Sequence, residues 1–313
     1  MNRNPLLIIL GPTASGKTKL AVGLADQLNA EIISADSRQL FKGMDIGTGK
    51  DLKEYNINDR TIPYHLIDIK EAGEQYNVNE FKEDFYSIFE RLTAEGTLPI
   101  LCGGTGMYIH SILQNQQYTA IPSDQEFRAT LPIHNIDHLR NKLFLYPAAF
   151  TAHADLSSSK RLVRAIEIAE WLSKNKLAEK QWPELHPLVI GLTSDVTLRR
   201  EKIFKRLDER FDAGLIAEVE QLLLQGVSTE MLTFYGLEYK FIAAYLNKEH
   251  TLPELKEKLF IAICQFAKRQ MTFFRKMEKD GVKINWFNTD QDPAQMKKDI
   301  LKLWGSSFSP EIA

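Results

Sequence analysis

Cysteine is scarce in this chain, whose 313 residues include only Cys102 and Cys264, at no spacing typical of a metal site. A disulfide framework needs more cysteines in a secreted protein, so we expect a reducing environment. Long apolar runs are also missing: none approaches the roughly 18 residues of a membrane-spanning helix. The run at residues 6–10 is too short for the apolar region of a signal peptide. The sequence therefore predicts a cytoplasmic protein without a membrane segment.

An excess of charge of either sign is missing as well. Lys and Arg together number 39 and Asp and Glu 41, which gives a formal net charge of -2. Nucleic acid is therefore not attracted to the chain as a whole, and any RNA contact must come from local clusters of Lys and Arg. Hydrophobic residues make up 44% of the chain, enough to bury a sizeable core and to exclude disordered and fibrous classes.

What the sequence does contain is an alternation of apolar runs and helical patterns. The runs at residues 6–10, 31–34, 98–102 and 188–192 predict buried strands, and a helix is predicted from Lys17 to Leu28. A further strand-like run at residues 282–287 lies in a mostly helical C-terminal region. This alternation predicts an α/β fold with a parallel sheet and right-handed crossovers.

One stretch interrupts the alternation. Residues 118–186 are polar and helical in character, and they lie between two predicted strands of the same sheet. We therefore expect a helical insertion domain at residues 118–186, and a catalytic core formed by residues 1–117 and 187–313. The chain is expected to be a monomer.

The sequence GPTASGKT at residues 11–18 fits the P-loop pattern G-x-x-x-x-G-K-[ST], between a predicted strand and a predicted helix. In such a loop, backbone N–H groups and a helix N-terminus converge on phosphate oxygens. Lys17 adds positive charge, and the Thr18 hydroxyl is a candidate Mg²⁺ ligand. The pattern does not identify the phosphate compound, because ATPases and nucleotide kinases share it. The predicted phosphate-binding residues are Gly11, Pro12, Thr13, Ala14, Ser15, Gly16, Lys17 and Thr18.

Two further strand ends carry polar residues. Asp36 follows the second predicted strand, and strand ends at this edge of an α/β sheet face the ligand crevice. Three roles fit Asp36: a general base, a helix N-cap, or a partner of Thr18 in holding Mg²⁺. The sequence GGTG at residues 103–106 brings a compact backbone and the Thr105 hydroxyl to the same crevice, unless it is only a structural turn.

Basic residues gather on one face of three predicted helices. Phosphate-backbone contact is a plausible role for the first two stripes, and the third could point toward the phosphate crevice. Solvated surface and local salt bridges, the latter to Asp208, Glu209 or Asp212 for the third stripe, are the alternatives. The stripes are Lys268, Arg269, Thr272, Arg275 and Lys276; Lys160, Arg161 and Arg164; and Arg199, Arg206 and Arg210.

With these motifs in view, the sequence strongly resembles the bacterial tRNA dimethylallyltransferases, also called tRNA isopentenyltransferases. The resemblance covers nearly the whole chain and implies a P-loop NTPase-like core with a helical insertion. Besides GPTASGKT, it rests on EIISADSRQLFKGMDIGTGK at residues 31–50, PYHLID at 63–68, PILCGGTGMYIHSIL at 99–113, KRLVRAIEI at 160–168, RLDERFDAGLIAEVEQLL at 206–223 and QFAKRQMTFFRK at 265–276.

The resemblance implies transfer of a dimethylallyl group from dimethylallyl diphosphate to N6 of adenine 37, beside the tRNA anticodon. It implies that Asp36 takes the N6 proton and that Thr105 hydrogen-bonds the oxygen bridging the leaving diphosphate. Lys17, Mg²⁺ on Thr18, and Arg206 or Arg210 would neutralise the departing charge. The implied tRNA contacts are Asp36, Ser37, Arg38, Gln39, Thr105, Arg128, Lys160, Arg161, Leu162, Val163, Arg164, Lys268, Arg269, Gln270 and Arg275.

Two segments depart from the family pattern. FYGLEYK at residues 234–240 stands where relatives commonly carry a Gly-Tyr-Lys-Glu type motif, and Ser157-Ser158 replaces a frequent Asn-Asp pair. Both lie in regions associated with RNA contact, so the choice of tRNA stays open. Three other functions compete: a small-molecule kinase that uses ATP, a tRNA-binding module without catalysis, and an enzyme that prenylates free adenine nucleotides.

Overall fold

The computed structural model describes residues 4–152, 154–178 and 180–308. Its centre is a six-stranded parallel sheet with strand order β5-β2-β6-β1-β7-β8, beside a separate antiparallel pair, β3-β4. The strands are β1 Pro5–Leu10, β2 Ala30–Ser34, β3 Asn56–Ile57, β4 Arg60–Thr61, β5 Tyr64–His65, β6 Leu98–Gly103, β7 His186–Thr193 and β8 Ile284–Asn288. The predicted α/β fold with a parallel sheet is confirmed.

Helices cover the sheet and account for most of the C-terminal half. They are α1 Lys17–Leu28, α2 Val78–Ala94, α3 Gly106–Leu113, α4 Gln125–Ala129, α5 Ile136–Leu143, α6 Ala148–Thr151, α7 Ser159–Lys174, α8 Val196–Asp212, α9 Leu215–Leu224, α10 Thr229–Tyr235, α11 Leu237–Leu246, α12 Leu252–Lys279 and α13 Pro293–Phe308. Across residues 4–152, 154–178 and 180–308, no helix combines the length and apolar character that crossing a bilayer requires.

Strand β1 is the hub of the sheet. Its residues 6–10 have no exposed surface, because helices cover both faces of the parallel sheet and leave no solvated side. On one face, Leu7 and Ile9 join a cluster with Leu24 of α1 and Ile300 of α13. This packing fixes where β1 ends, and therefore where the loop that follows it is placed.

The chain divides into two compact units. One contains the described residues up to Leu113 and from Pro183 onward, and the other spans Gln114–Trp182. The expected boundary at residue 186 differs from this division, because His186 pairs with Pro5 as part of β7 in the sheet. Within the second unit, α5 and α7 pack through a core that includes Leu139 and Ile166.

Candidate active site

The register of three neighbouring strands brings three loops to one edge of the sheet. Leu10 at the end of β1 lies beside Gly103 of β6, and Cys102 of β6 lies beside Ser34 of β2. The P-loop follows β1, Asp36 follows β2, and Thr105 follows β6. The sheet thus assembles in one place the three segments that the sequence predicted separately.

The P-loop leads from β1 into α1. Gly16 precedes the helix at φ 77° and supplies no side-chain cap, so it leaves the first N–H groups of α1 open to an anion. Lys17 Nζ donates a hydrogen bond to the Pro12 carbonyl at 2.9 Å, which folds the side chain back over the loop. Burial lowers the pKa of Lys17, and nearby Asp36 partly offsets that effect. A desolvated ammonium group in this position attracts phosphate strongly.

A buried hydroxyl in this loop has no partner among the described residues. Ser15 is 4% exposed, and its Oγ makes no hydrogen bond to residues 4–152, 154–178 or 180–308. An unpaired buried hydroxyl is costly, so a ligand oxygen or a bound ion would satisfy it. Thr18, three positions further along, adds a second hydroxyl on the first turn of α1. Oxygen donors of this kind suit Mg²⁺ that is shared with a polyphosphate.

Thr105 is tied to the segment that carries Asp36. Its Oγ1 accepts from the Ser37 amide at 3.0 Å and donates to Ser37 Oγ at 3.2 Å. Its own amide donates to the Ala35 carbonyl at 3.1 Å. Asp36 is therefore held between two residues that are anchored on the Gly-Gly-Thr turn. The N-cap alternative for Asp36 is wrong, because a turn rather than a helix follows it and its Oδ1 accepts from the Arg38 amide at 3.1 Å.

Arg206 and Arg210 of α8 lie side by side against the loop that contains Gly49. A side chain at position 49 would collide with both guanidinium groups. Arg206 pairs with Asp51 at 2.7 Å, whereas Arg210 contacts Glu238 and the Gly47 carbonyl, each at 3.5 Å. Burial, followed by the charge of Arg206, lowers the pKa of Arg210 to about 10. The two cations repel each other, so an anion that they share would be strongly favoured.

The third basic stripe thus divides by role. The positive charge of Arg206 also contributes to lowering the pKa of Lys17, and the expected contact of this guanidinium with a diphosphate stays a prediction. The carboxylate partners of Arg206 and Arg210 are Asp51 and Glu238 rather than acids on the same helix. Arg199 is only 9% exposed and donates to the Ser194 carbonyl at 3.3 Å, a structural contact.

Arg38 and Gln39, which precede the loop that contains Gly49, already contact other residues of the protein. Arg38 pairs with buried Glu238 at 2.7 Å and stacks on the Phe266 ring at 4.7 Å from its centroid. Gln39 donates to the Gly49 carbonyl at 3.3 Å and accepts from Ser34 at 3.1 Å. Their expected contacts with tRNA stay predictions, and these bonds would have to persist or exchange when RNA binds.

Helix α12 carries the first basic stripe. Lys268, Arg269 and Arg275 are exposed, while Phe274 is fully buried on the opposite side, as the helical periodicity predicts. Gln270 was expected to contact tRNA, which stays a prediction; its side chain points into the core unit, and the residue is 9% exposed. Its Oε1 accepts from the Thr13 amide at 2.8 Å, and its Nε2 donates to the Gly104 carbonyl at 3.0 Å.

Sequence reasoning missed the anchor of the Gly49 loop. The Glu218 carboxylate accepts from the amides of Asp45, Ile46 and Gly47 at 2.8, 2.7 and 2.9 Å, and from the Tyr239 hydroxyl at 2.8 Å. Glu218 lies within one of the family-like segments, but nothing in the pattern distinguishes it from an ordinary surface glutamate. Its position dictates how the loop meets Arg206 and Arg210.

Lys50 is a second missed residue. Its side chain is fully buried, and Nζ donates to the Phe41 carbonyl at 2.6 Å and to Asp45 at 2.7 Å. It also pairs with Asp68. A buried ammonium group is stable only when it is paired and hydrogen-bonded. Through these bonds Lys50 fixes the conformation of the loop that contains Gly49.

Replacing Glu218 with alanine tests this anchor. We expect a loss of unfolding free energy on the order of 3 kcal/mol, because charge-assisted hydrogen bonds disappear and loop amides lose their acceptor. Urea unfolding followed by circular dichroism measures the change. Glu220→Ala is the matched control, since Glu220 is exposed on the same helix. Equal midpoints for the two variants would contradict the anchoring role.

Helix α7 of the inserted unit carries the second basic stripe. Lys160 and Arg161 are exposed at the start of α7, and Arg161 pairs with Asp155 at 2.9 Å. Leu162 and Val163 are expected to contact tRNA, and that expectation stays a prediction. They are 0% and 8% exposed, because the apolar face of α7 forms the core of this unit.

Arg128 and Arg164 converge on one buried carboxylate. Glu167 is 2% exposed and accepts from Arg128 Nε at 2.9 Å and from Arg164. Arg164 also donates to the Ile121 carbonyl at 2.6 Å. Both guanidinium groups keep some exposed surface, so their tRNA contacts stay predictions. Ser158 caps α7 and Ser157 accepts from Arg161, so the departure from the family pattern here preserves a helix start.

The parallel sheet and the P-loop that follows β1 place this chain in the class of P-loop proteins. Comparison with known proteins agrees. The family model described as IPP transferase matches residues 39–277, and the one described as isopentenyl transferase matches residues 4–62. The chain belongs to the IPP transferase family.

Individual relatives match over nearly the full chain. A tRNA dimethylallyltransferase 2 of Bacteroides fragilis is 46% identical, over 95% of this chain and 96% of its own. A tRNA dimethylallyltransferase 1 of Parabacteroides distasonis is 47% identical, over 92% and 94%. The solved tRNA isopentenylpyrophosphate transferase of Bacillus halodurans superposes with a TM-score of 0.71 at 30% identity, covering 97% of both chains.

Proposed function

We propose that this protein transfers a dimethylallyl group from dimethylallyl diphosphate to N6 of adenine 37 in tRNA and releases diphosphate. The observation that carries the proposal is the hydrogen-bonded link from Thr105 to Ser37, which holds the turn that contains Asp36 at the sheet edge where β1 also ends. The family and the named relatives support the same reaction.

In this reaction a bond forms between N6 and the allylic carbon, and the bond from that carbon to the diphosphate oxygen breaks. Asp36 accepts the proton that N6 loses, so its carboxylate acts as the general base. Thr105 Oγ1 would hydrogen-bond the oxygen that leaves with the diphosphate. No phosphorus–oxygen bond is broken, and the P-loop here grips a leaving group.

Negative charge grows on the diphosphate as its bond to carbon breaks. Lys17, Arg206 and Arg210 supply fixed positive charge at that place, which lowers the barrier without reorganisation. The Thr18 hydroxyl would hold Mg²⁺ bound to the diphosphate, and the unpaired Ser15 hydroxyl fits such an occupied loop. The ion would supply additional charge neutralisation.

Adenine in an anticodon loop must leave its stack to reach Asp36. Extracting the base costs a few kcal/mol, which contacts to the rest of the tRNA must offset. The exposed Lys268, Arg269 and Arg275 of α12 are suited to the phosphate backbone, and the inserted unit offers exposed Lys160 and Arg161. We propose that the inserted helices grip the anticodon stem-loop.

The test compares acceptors, with labelled dimethylallyl diphosphate as donor. We expect label in an anticodon stem-loop that carries adenine 37, none in the same RNA with guanine 37, and none in AMP. Preference for AMP would identify an enzyme of free nucleotides. Phosphorylation of a small molecule by ATP would identify a kinase, and tight RNA binding without transfer would leave only a binding module.

A further inference from the structure

Helix α12 contacts both glycine-rich loops of the active site, the P-loop and the turn at residues 103–106, through one side chain. Gln270 Oε1 accepts from Thr13 in the P-loop, and Nε2 donates to Gly104 in the turn that presents Thr105. The side chain of Gln270 therefore connects the P-loop to the turn that carries Thr105. These loops are otherwise separate segments that follow different strands.

The fit around this amide is tight. A methyl group on Gly104 would lie 2.5 Å from Gln270 Nε2, and one on Gly106 would overlap the ring of Phe273. Phe273 is three positions after Gln270 and so lies on the same side of the helix. Because a buried amide left unpaired is costly, the two loops must follow any movement of α12.

The other side of the same helix carries the exposed cations. Lys268 and Arg269 immediately precede Gln270, and Arg275 follows it within two turns. An α-helix transmits a displacement along its length as a rigid element. RNA phosphates that bind these cations therefore act on the helix that holds both loops.

We propose that Gln270 is a positioning residue that couples tRNA binding on α12 to the shape of the diphosphate pocket. The inference rests on the proposed function, since it takes tRNA as the ligand of α12. Bound RNA fixes α12, Gln270 fixes Thr13 and Gly104, and the pocket then binds diphosphate more tightly. Coupling of binding free energies is reciprocal, so diphosphate must also tighten RNA binding by the same factor.

The experiment measures the dissociation constant of inorganic pyrophosphate, with Mg²⁺, in the absence and presence of a saturating adenine 37 stem-loop. No donor is present, so no turnover disturbs the equilibrium. In the wild-type protein we expect RNA to tighten pyrophosphate binding by roughly tenfold, a typical coupling strength. Gln270→Leu should reduce this factor to below about twofold. RNA affinity without pyrophosphate should match that of the control, Gln265→Leu, since Gln265 is exposed on the same helix.

Gly104→Ala breaks the link from the other side without changing α12, and the same loss of coupling is expected even if Gln270→Leu folds poorly. Wild-type coupling in either folded variant, or its absence in the wild-type protein, would overturn the inference. Weaker RNA binding by Gln270→Leu without pyrophosphate would instead make Gln270 a direct RNA contact. A parallel assay of wild-type transfer to the stem-loop separates the two proposals, because lack of transfer rejects the proposed function itself.

Discussion

Asp36→Asn is expected to lower kcat for transfer to tRNA by roughly a thousandfold, within the range for loss of a general base. Asparagine keeps the side-chain oxygen that accepts from the Arg38 amide, so the turn should survive. What it loses is the capacity to accept the N6 proton. Single-turnover transfer of label from the donor to the stem-loop measures the chemical step directly.

The design separates catalysis from binding. The dissociation constant of the stem-loop should stay within about twofold of wild type if Asp36 acts on the proton, whereas lost RNA contact would raise it. Asp212→Asn serves as the control, since Asp212 is an exposed carboxylate at the end of α8. If Asp36→Asn transferred label as fast as the control Asp212→Asn, Asp36 would not be the general base.

The local parts of the site follow from sequence. β1, the P-loop and α1 form one continuous segment, so an apolar run, a glycine pattern and a helical period suffice to place Lys17 and Thr18. The strand ends that carry Asp36 and Thr105 follow from the same reasoning. The sheet edge β5, only two residues long, has no periodicity that a sequence could reveal.

The links between segments do not follow from sequence. The bond from Gln270 to Thr13 joins positions 257 residues apart, and the bond from Glu218 to Ile46 joins positions 172 apart. Helical periodicity predicts on which face of a helix a residue lies, but not which buried polar group its side chain bonds. Gln270 lies beside the cations that we expect to contact RNA, and only the structure shows its bonds to Thr13 and Gly104.

Lys17→Met should reduce kcat/KM for dimethylallyl diphosphate by 10²–10³-fold, on the order of the loss of one preorganised charge at a leaving group. KM should rise and kcat should fall, because the ammonium attracts the ground-state diphosphate and also the negative charge that grows as the diphosphate departs. Lys19→Met is the control, since Lys19 is exposed two positions along α1. Affinity for the stem-loop without donor should not change.

Arginine at position 17 is not expected to restore the rate. The Lys17 ammonium is a compact group that is desolvated by burial and donates to the Pro12 carbonyl at 2.9 Å, so the P-loop is shaped around it. A planar guanidinium is larger and cannot occupy the same position without moving the loop. Partial rescue would mean that charge alone suffices. If Lys17→Met kept the kcat/KM of Lys19→Met, the diphosphate would have to bind elsewhere, because a P-loop that holds a leaving group cannot lose its only lysine without effect.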